Sequence, residues 1–254
     1  MTGPDIDEFF KSEEILLFGE VGIEDIQNPD REYAEEFLRG AGSVIVFAKE
    51  VPASLYDLPP KEKTKRMLLI AESLDRTAKR LSSLLNKSGI AAKPIPLYLP
   101  LTITDGKVRG LIRLKQIAET AGLGERGKSS LLITKPYGPG VFLSGVVTGR
   151  HIPKYRHIPE EPAGPVETLC TGCGLCIKNC PGKVFGPDGV DAFSCVTIRR
   201  FVPPVFVPPA KWVLKRRLLL RLAAPVAPSF ARFATMPCSR CVTVCPRFLK
   251  KSER

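Results

Sequence analysis

Cys170-Thr-Gly-Cys173-Gly-Leu-Cys176-Ile-Lys-Asn-Cys180-Pro181 is the stretch on which the reading of this chain turns. It has the spacing C-x2-C-x2-C-x3-C-P, in which one loop presents three thiolates to three corners of a cubane iron–sulfur cluster. In two-cluster proteins the fourth cysteine of such a run serves the other cluster, so partners must lie elsewhere. They are present: Cys195 alone, then Cys238-Ser-Arg-Cys241-Val-Thr-Val-Cys245-Pro246. Two cubanes need eight thiolates, and the chain has eight cysteines. The crossed rule predicts one 4Fe–4S cluster on Cys170, Cys173, Cys176 and Cys245. The second falls to Cys180, Cys195, Cys238 and Cys241.

Two other uses of cysteine compete. Structural zinc favours well-separated C-x2-C pairs or mixed Cys/His sets, which a run of three at x2 does not provide. A disulfide scaffold would be denser in cysteine and would leave the tight spacings without a reason. Thiolates and oxygen-sensitive clusters imply a reducing compartment. The acidic start, Met1 to Phe10, lacks the basic and apolar parts of a signal peptide, and no apolar run is long enough to span a membrane. The expectation is a cytoplasmic protein with no transmembrane segment.

Outward from the cysteines, charge is uneven. The net charge is +12, and residues 195–254 carry thirteen Lys or Arg against Glu253 alone, which accounts for all of it. A solvated tail would look like this, and so would a docking face for an acidic electron donor such as a ferredoxin or flavodoxin. Within it, the basic insert 199–235 contains Phe201-Val-Pro-Pro-Val-Phe-Val-Pro-Pro209, a doubled proline motif that excludes a regular helix or central strand. Lys211 to Leu222 mixes basic and apolar residues without a clean amphipathic face. RNA binding by this region is a weaker reading, because arrayed stacking aromatics are missing.

Before the cysteines, helices and strands mix without a regular βαβ beat, which predicts an α+β class. Helices are expected over Asp5 to Phe18, Arg31 to Leu38, Lys61 to Lys87 and Leu111 to Ala121. The third carries Met67, Ile70, Leu74, Ala78, Leu81 and Leu85 on one stripe, with Gly89 as its stop. Ser43 to Ala48 reads as a buried strand. Ala92 to Thr104 reads as extended chain broken by prolines, with strands also at Leu131 to Thr134 and Val141 to Thr148. No dinucleotide fingerprint or P-loop occurs, and His151 and His157 lack partners at metal spacing.

The order of motifs resembles a known family. Ala121-Gly-Leu-Gly-Glu-Arg-Gly-Lys-Ser-Ser-Leu-Leu-Ile-Thr134, then Tyr137-Gly-Pro-Gly-Val-Phe-Leu-Ser-Gly-Val-Val-Thr148, then the cysteine run, is similar to the epoxyqueuosine reductases and the corrinoid reductive dehalogenases. The resemblance implies a nitroreductase-like, cobalamin-binding domain over 1–160. A ferredoxin-like domain with two 4Fe–4S clusters would follow over 161–254. It implies electrons relayed through the clusters to a base-off cobalamin, with Gly122, Gly124, Gly127, Lys128, Ser129 and Tyr137 near the corrin. The function implied is a corrinoid-dependent reductase; the alternative is a ferredoxin-like carrier serving a partner, such as a corrinoid protein. Val108 occupies the position of the family's catalytic Asp, Asp105 lies three residues away, and Glu125-Arg126 replaces an apolar pair. The twin-arginine leader of the dehalogenases and the C-terminal repeats of the tRNA-modifying enzymes have no counterpart. Reduction of a tRNA base is therefore not expected.

Overall fold

A computed structural model of the chain describes residues 5–97, 101–104, 107–110, 112–151, 156–157, 168–186, 189–216 and 235–248. For 101–104, 107–110 and 156–157 the backbone alone is described. Its centre is a five-stranded sheet in the order β3-β8-β2-β1-β9. The strands are β1 (Leu17–Gly22), β2 (Ser43–Glu50), β3 (Ala92–Pro94), β8 (Val141–Thr148) and β9 (Arg156–His157). Every neighbouring pair is antiparallel.

The continuous apolar run in β2 has a simple cause: both faces of the sheet are covered. Ile45 and Phe47 point to a core with Phe10, Phe18, Leu74, Ala78, Leu81 and Leu85. Val44, Val46 and Ala48 point the opposite way, toward Leu17, Ile117, Ala118, Leu123 and Leu132. Alternating side chains thus enter two cores, so no polar face is left to alternate.

The first core is closed by α1 (Ile6–Ser12) and α3 (Pro60–Lys87). Asp5 caps α1 by accepting from the Glu8 N–H at 2.9 Å. The helix ends well before Phe18, because Glu14 turns left-handed at φ +57° and Leu17 enters the sheet opposite Ala48. Pairing with β2 and the Phe10–Phe18 stack, at 4.2 Å, outweigh the helical spacing of those apolar residues. The stripe on α3 is buried at Met67, Leu74, Ala78, Leu81 and Leu85, while Ile70 is half-buried. Gly89, at φ +78°, ends the helix with the Ile90 N–H returning to the Leu85 carbonyl. One lock on this helix was not legible in the sequence. The Asn86 side chain pairs with both the N–H and the C=O of Ala92, which pins α3 to edge strand β3.

On the other face lie α2 (Asp30–Phe37) and α4 (Leu114–Thr120). Buried Asp30 accepts from the backbone N–H of Arg113 and from its guanidinium, at 2.9 and 2.8 Å, so the entry to α4 is tied to α2. The extended stretch after Ala92 contains β4 (Leu101–Thr104), which forms a hairpin with β5 (Lys107–Gly110). Next to α4 a small hairpin of β6 (Glu125–Arg126) and β7 (Leu132–Ile133) faces the cysteine-bearing segments.

Those segments carry α5 (Leu175–Lys178), the hairpin β10 (Phe185–Gly186) and β11 (Gly189–Val190), α6 (Val196–Phe201), α7 (Val207–Leu214) and α8 (Arg240–Thr243). The proline motif does not exclude a helix after all. α7 begins inside it, with Pro208 and Pro209 in the first turn, where no backbone donor is required. It ends at Leu214, and residues 217–222 of the basic apolar stretch lie outside the described residues.

Candidate metal centre

The eight cysteines, scattered over 76 positions of sequence, are free thiols that fall into two neighbouring groups. Local backbone explains how the first three meet. Gly172 and Gly174 both take left-handed φ, +69° and +71°, which curls Cys170 and Cys173 around the start of α5, where Cys176 lies. Cys170, Cys173, Cys176, Cys241 and Cys245 all line one pocket. Burial raises the Cys176 thiol, and its neighbours Cys173 and Cys170 raise it further, while backbone hydrogen bonds act against them.

The remaining four form a second group drawn from three distant segments. Burial pushes the Cys241 thiol up to about 11, with Cys238, Cys195 and Cys180 adding to it in that order. Cys195 caps α6, Cys241 lies on α8, and α5 packs against α8, so the two cysteine hairpins stand side by side. Among the described residues no three ligating side chains converge on a point that suits a single metal ion. A tetrahedral zinc site would need four sulfurs about 3.8 Å apart, given Zn–S bonds of roughly 2.3 Å. The corners of a cubane bind separate irons and accept wider spacing, so this donor set fits two clusters better than one ion.

The segment before the cysteines acts as their platform. The carboxylate of Glu125 accepts from the backbone N–H groups of Leu169 and Cys170, at 2.7 and 3.2 Å. Arg126 meanwhile pairs with Glu119 on α4 at 2.5 Å. These two residues, read in sequence only as a departure from an apolar pair, tie the cysteine loop to the sheet domain. Glu125 lies 44 positions before Leu169, so no local pattern in the sequence could have found it.

The six positions expected near a corrin lie as follows. Gly122, at φ +74°, ends α4. Gly124 has the Ile133 carbonyl 2.3 Å from where a Cβ would stand, so backbone approach requires it. Gly127, Lys128 and Ser129 border the pocket of the first cysteine group. Lys128 Nζ reaches to 3.8 Å from the Cβ position of Gly172. Tyr137 donates its N–H to Thr134 Oγ1, and burial, then Glu50, raises its phenol. Of these six, Gly127, Lys128 and Ser129 share one pocket, that of the first cysteine group. Val108 is described by backbone alone, opposite Ile103, and Asp105 lies outside the described residues.

Space exists on the other side of the cysteines. A cleft of about 470 Å³ is bordered by Tyr56, Lys63, Val196, Cys238, Ser239 and Arg240. Tyr56 packs edge-on against Phe248, with ring centres 5.0 Å apart. Burial, with the negative charge of a Cys241 thiolate behind it, lifts the Tyr56 phenol to about 12. Lys63 is only 5% exposed. Thr64 beside it accepts the Met236 N–H at 2.7 Å, which anchors the approach to Cys238 on α3. The result is a cationic, proton-holding cleft in contact with the second thiolate group. Of its lining residues, Tyr56 and Lys63 had not been singled out by the sequence reading, whereas Pro181 and Cys238 belong to the cysteine motifs.

No family model matches the chain. An epoxyqueuosine reductase of Listeria monocytogenes is 28% identical over 196 residues, 75% of this chain and 48% of that protein. One from Bacillus subtilis is 24% identical over 196 residues, 73% and 47% of the two chains. The chain thus spans about half the length of these curated relatives. Among solved structures, an epoxyqueuosine reductase from Bacillus subtilis aligns with a TM-score of 0.56 at 20% identity, over 97% of this chain and 66% of that one. An epoxyqueuosine reductase with an epoxyqueuosine-modified tRNA-Tyr stem loop aligns at 0.55 and 20%, over 95% and 64%. At that identity the structures speak for the fold, a mixed α/β arrangement, and the sequence likeness covers three quarters of the chain. By sequence the chain is thus similar to the epoxyqueuosine reductases over three quarters of its length, and it shares the fold of their solved structures.

Proposed function

We propose that this chain is an iron–sulfur oxidoreductase with two 4Fe–4S clusters, held by Cys170, Cys173, Cys176 and Cys245 and by Cys180, Cys195, Cys238 and Cys241. Its two parts are a sheet domain over 1–160 and a ferredoxin-like domain over 161–254. The observation that carries the reading is the meeting of Cys241 with Cys238, Cys195 and Cys180 from three separate segments. When bound, such clusters supply electrons one at a time.

The chain's own residues prepare the site for that chemistry. Glu125 holds the first ligand loop through two backbone donors. Lys128 brings a positive charge to that loop, with its ammonium group beside Gly172. Tyr56 keeps its proton at Oη far above neutral pH and can donate it in a hydrogen bond into the cleft. Lys63 and Arg240 make the same cleft attractive to an anionic reactant. No step is derived through cobalamin, which rests on the family resemblance alone. Room for a reactant lies in the Tyr56–Lys63–Arg240 cleft.

Anaerobic reconstitution with iron and sulfide analysis tests the reading. About eight irons per chain are expected. Cys245→Ser should lose about half of them and spare the signal of the other cluster. Loss of both clusters alike, or a stoichiometric zinc, overturns it.

A second reading concerns the substrate. A neighbour of the same fold holds a tRNA stem loop, which favours RNA where the altered Asp position had argued against it. Incubating the reduced protein with an epoxyqueuosine-modified stem loop should remove the epoxide oxygen, seen as a mass loss of the nucleoside. An unchanged nucleoside leaves the carrier reading in its place.

A further inference from the structure

Beside the second thiolate group lies a surface that the proposed reaction does not use. α6 and α7 meet there through a short turn at Pro204–Phe206, and apolar side chains stand in water along it. Val205 is 74% exposed, Phe206 60% and Trp212 54%. Singly exposed apolar residues need no explanation, but several together on one surface do. Around them Arg199, Arg200, Lys215 and Arg216 are all exposed. Between Cys195 and Arg216 there is no acidic residue at all. Arg216 stacks over the Trp212 ring at 4.1 Å, and Lys211 sits over Phe193 at 5.4 Å.

The surface is also short-coupled to the thiolates. Cys195 is the N-cap of α6, and the Arg199 N–H donates to the Cys195 carbonyl at 2.8 Å. At 1.5 Å of rise per residue, Arg199 lies only about 6 Å along the helix from a cluster ligand. Phe193, buried two residues before Cys195, carries Lys211 on its ring and so links α7 to the same group.

We infer that the α6–α7 surface is the docking site for an acidic one-electron carrier protein, with an apolar patch on the carrier meeting Val205, Phe206 and Trp212. This rests on the two-cluster reading above. Charge decides the class of partner: a wholly basic rim is complementary to an acidic face and repels a basic one. The exposed apolar centre matches a protein interface, in which a desolvated core is ringed by polar contacts. The proximity of Cys195 gives that partner a reason to be a redox protein. One electron passes from the reduced carrier, which leaves oxidised, to the cluster at Cys195, which is reduced by one. No atom is transferred.

The test uses the reconstituted full chain and an acidic, tryptophan-free 2Fe–2S ferredoxin, with calorimetric titration at two salt concentrations. Binding should weaken steeply with salt. R199E/R200E should raise Kd by about tenfold or more, and Trp212→Ala by several-fold, with the iron content of both variants unchanged. Trp212 is the only tryptophan in the chain, so its protection from acrylamide on adding the ferredoxin reads the same contact directly. Binding that ignores all three substitutions overturns the inference. So does a tRNA stem loop that binds through the same residues while the ferredoxin does not. A chain that holds no iron would instead sink the two-cluster reading. The calorimetry reads docking without turnover, so the two failures are separable.

Discussion

The sheet and the cysteine segments are built on opposite principles. Around β2 and α3 the chain buries large apolar side chains completely, among them Phe10, Phe47, Leu74, Leu81 and Leu85. Among the described residues after Thr148, only Val184 and Phe193 are buried apolar side chains. The first region can be held by transfer of hydrocarbon out of water, at about 25 cal/mol per Å². The second has little to transfer, and on the two-cluster proposal its order comes from ligation and from ties to the first region. Those ties are few and specific: Glu125 to Leu169 and Cys170, Thr64 to Met236, and the Gly138 loop against the Arg247 carbonyl.

The sharpest way to break that comparison is to damage each region in turn. Phe47→Ala opens a cavity in the core shared with Phe10, whose ring centre is 5.1 Å away. It should cost about 3–5 kcal/mol in denaturant unfolding whether or not iron is present. Equal stability of this variant and the parent would mean that the sheet is not held by the apolar burial described here.

Next comes pH, acting on the iron-free protein. Cys241 is raised from an ordinary value of 9.0 to about 11, so the folded state prefers the protonated thiol. Its stabilising effect is therefore complete below pH 9 and disappears as pH rises from 9 through 11. Two units correspond to about 2.7 kcal/mol. Tyr56, raised to about 12, adds a loss in the same direction at still higher pH. Urea unfolding of the iron-free chain at pH 8 and pH 11 checks the sign, and a rise in stability would contradict it. Iron, by holding Cys241 as thiolate, should erase this dependence.

The smallest effect is expected at the seam. Glu125→Ala leaves two backbone donors of the ligand loop without their acceptor, at a cost of about 1–3 kcal/mol. Hydrogen exchange should speed up at Leu169 and Cys170 and stay unchanged in β2. A uniform change across both regions would mean that the seam is not local.

Much of this architecture was legible in the chain. The buried strand Ser43–Ala48, the stripe of α3 and the two hairpins of cysteines follow from period and spacing, which act over a few residues. Overreach came where two local patterns competed. Leu16 and Leu17 continue the helical spacing of α1, yet Leu17 pairs with Ala48, a partner 31 positions away that no local pattern reports. Pro208 and Pro209 look like helix breakers until the helix is seen to begin at Val207.

What the sequence determined alone is the donor set: eight thiolates at spacings suited to two cubanes, and a basic stretch beside the last of them. Ligand chemistry is a property of residue type and short-range spacing, and both are written in the chain. Tertiary structure alone decided the rest. It made Glu125 and Arg126 a brace for the ligand loop and drew Tyr56, Lys63 and Arg240 to one cleft. Those are contacts between residues as many as 184 positions apart, and only the packing of one layer on another brings them together.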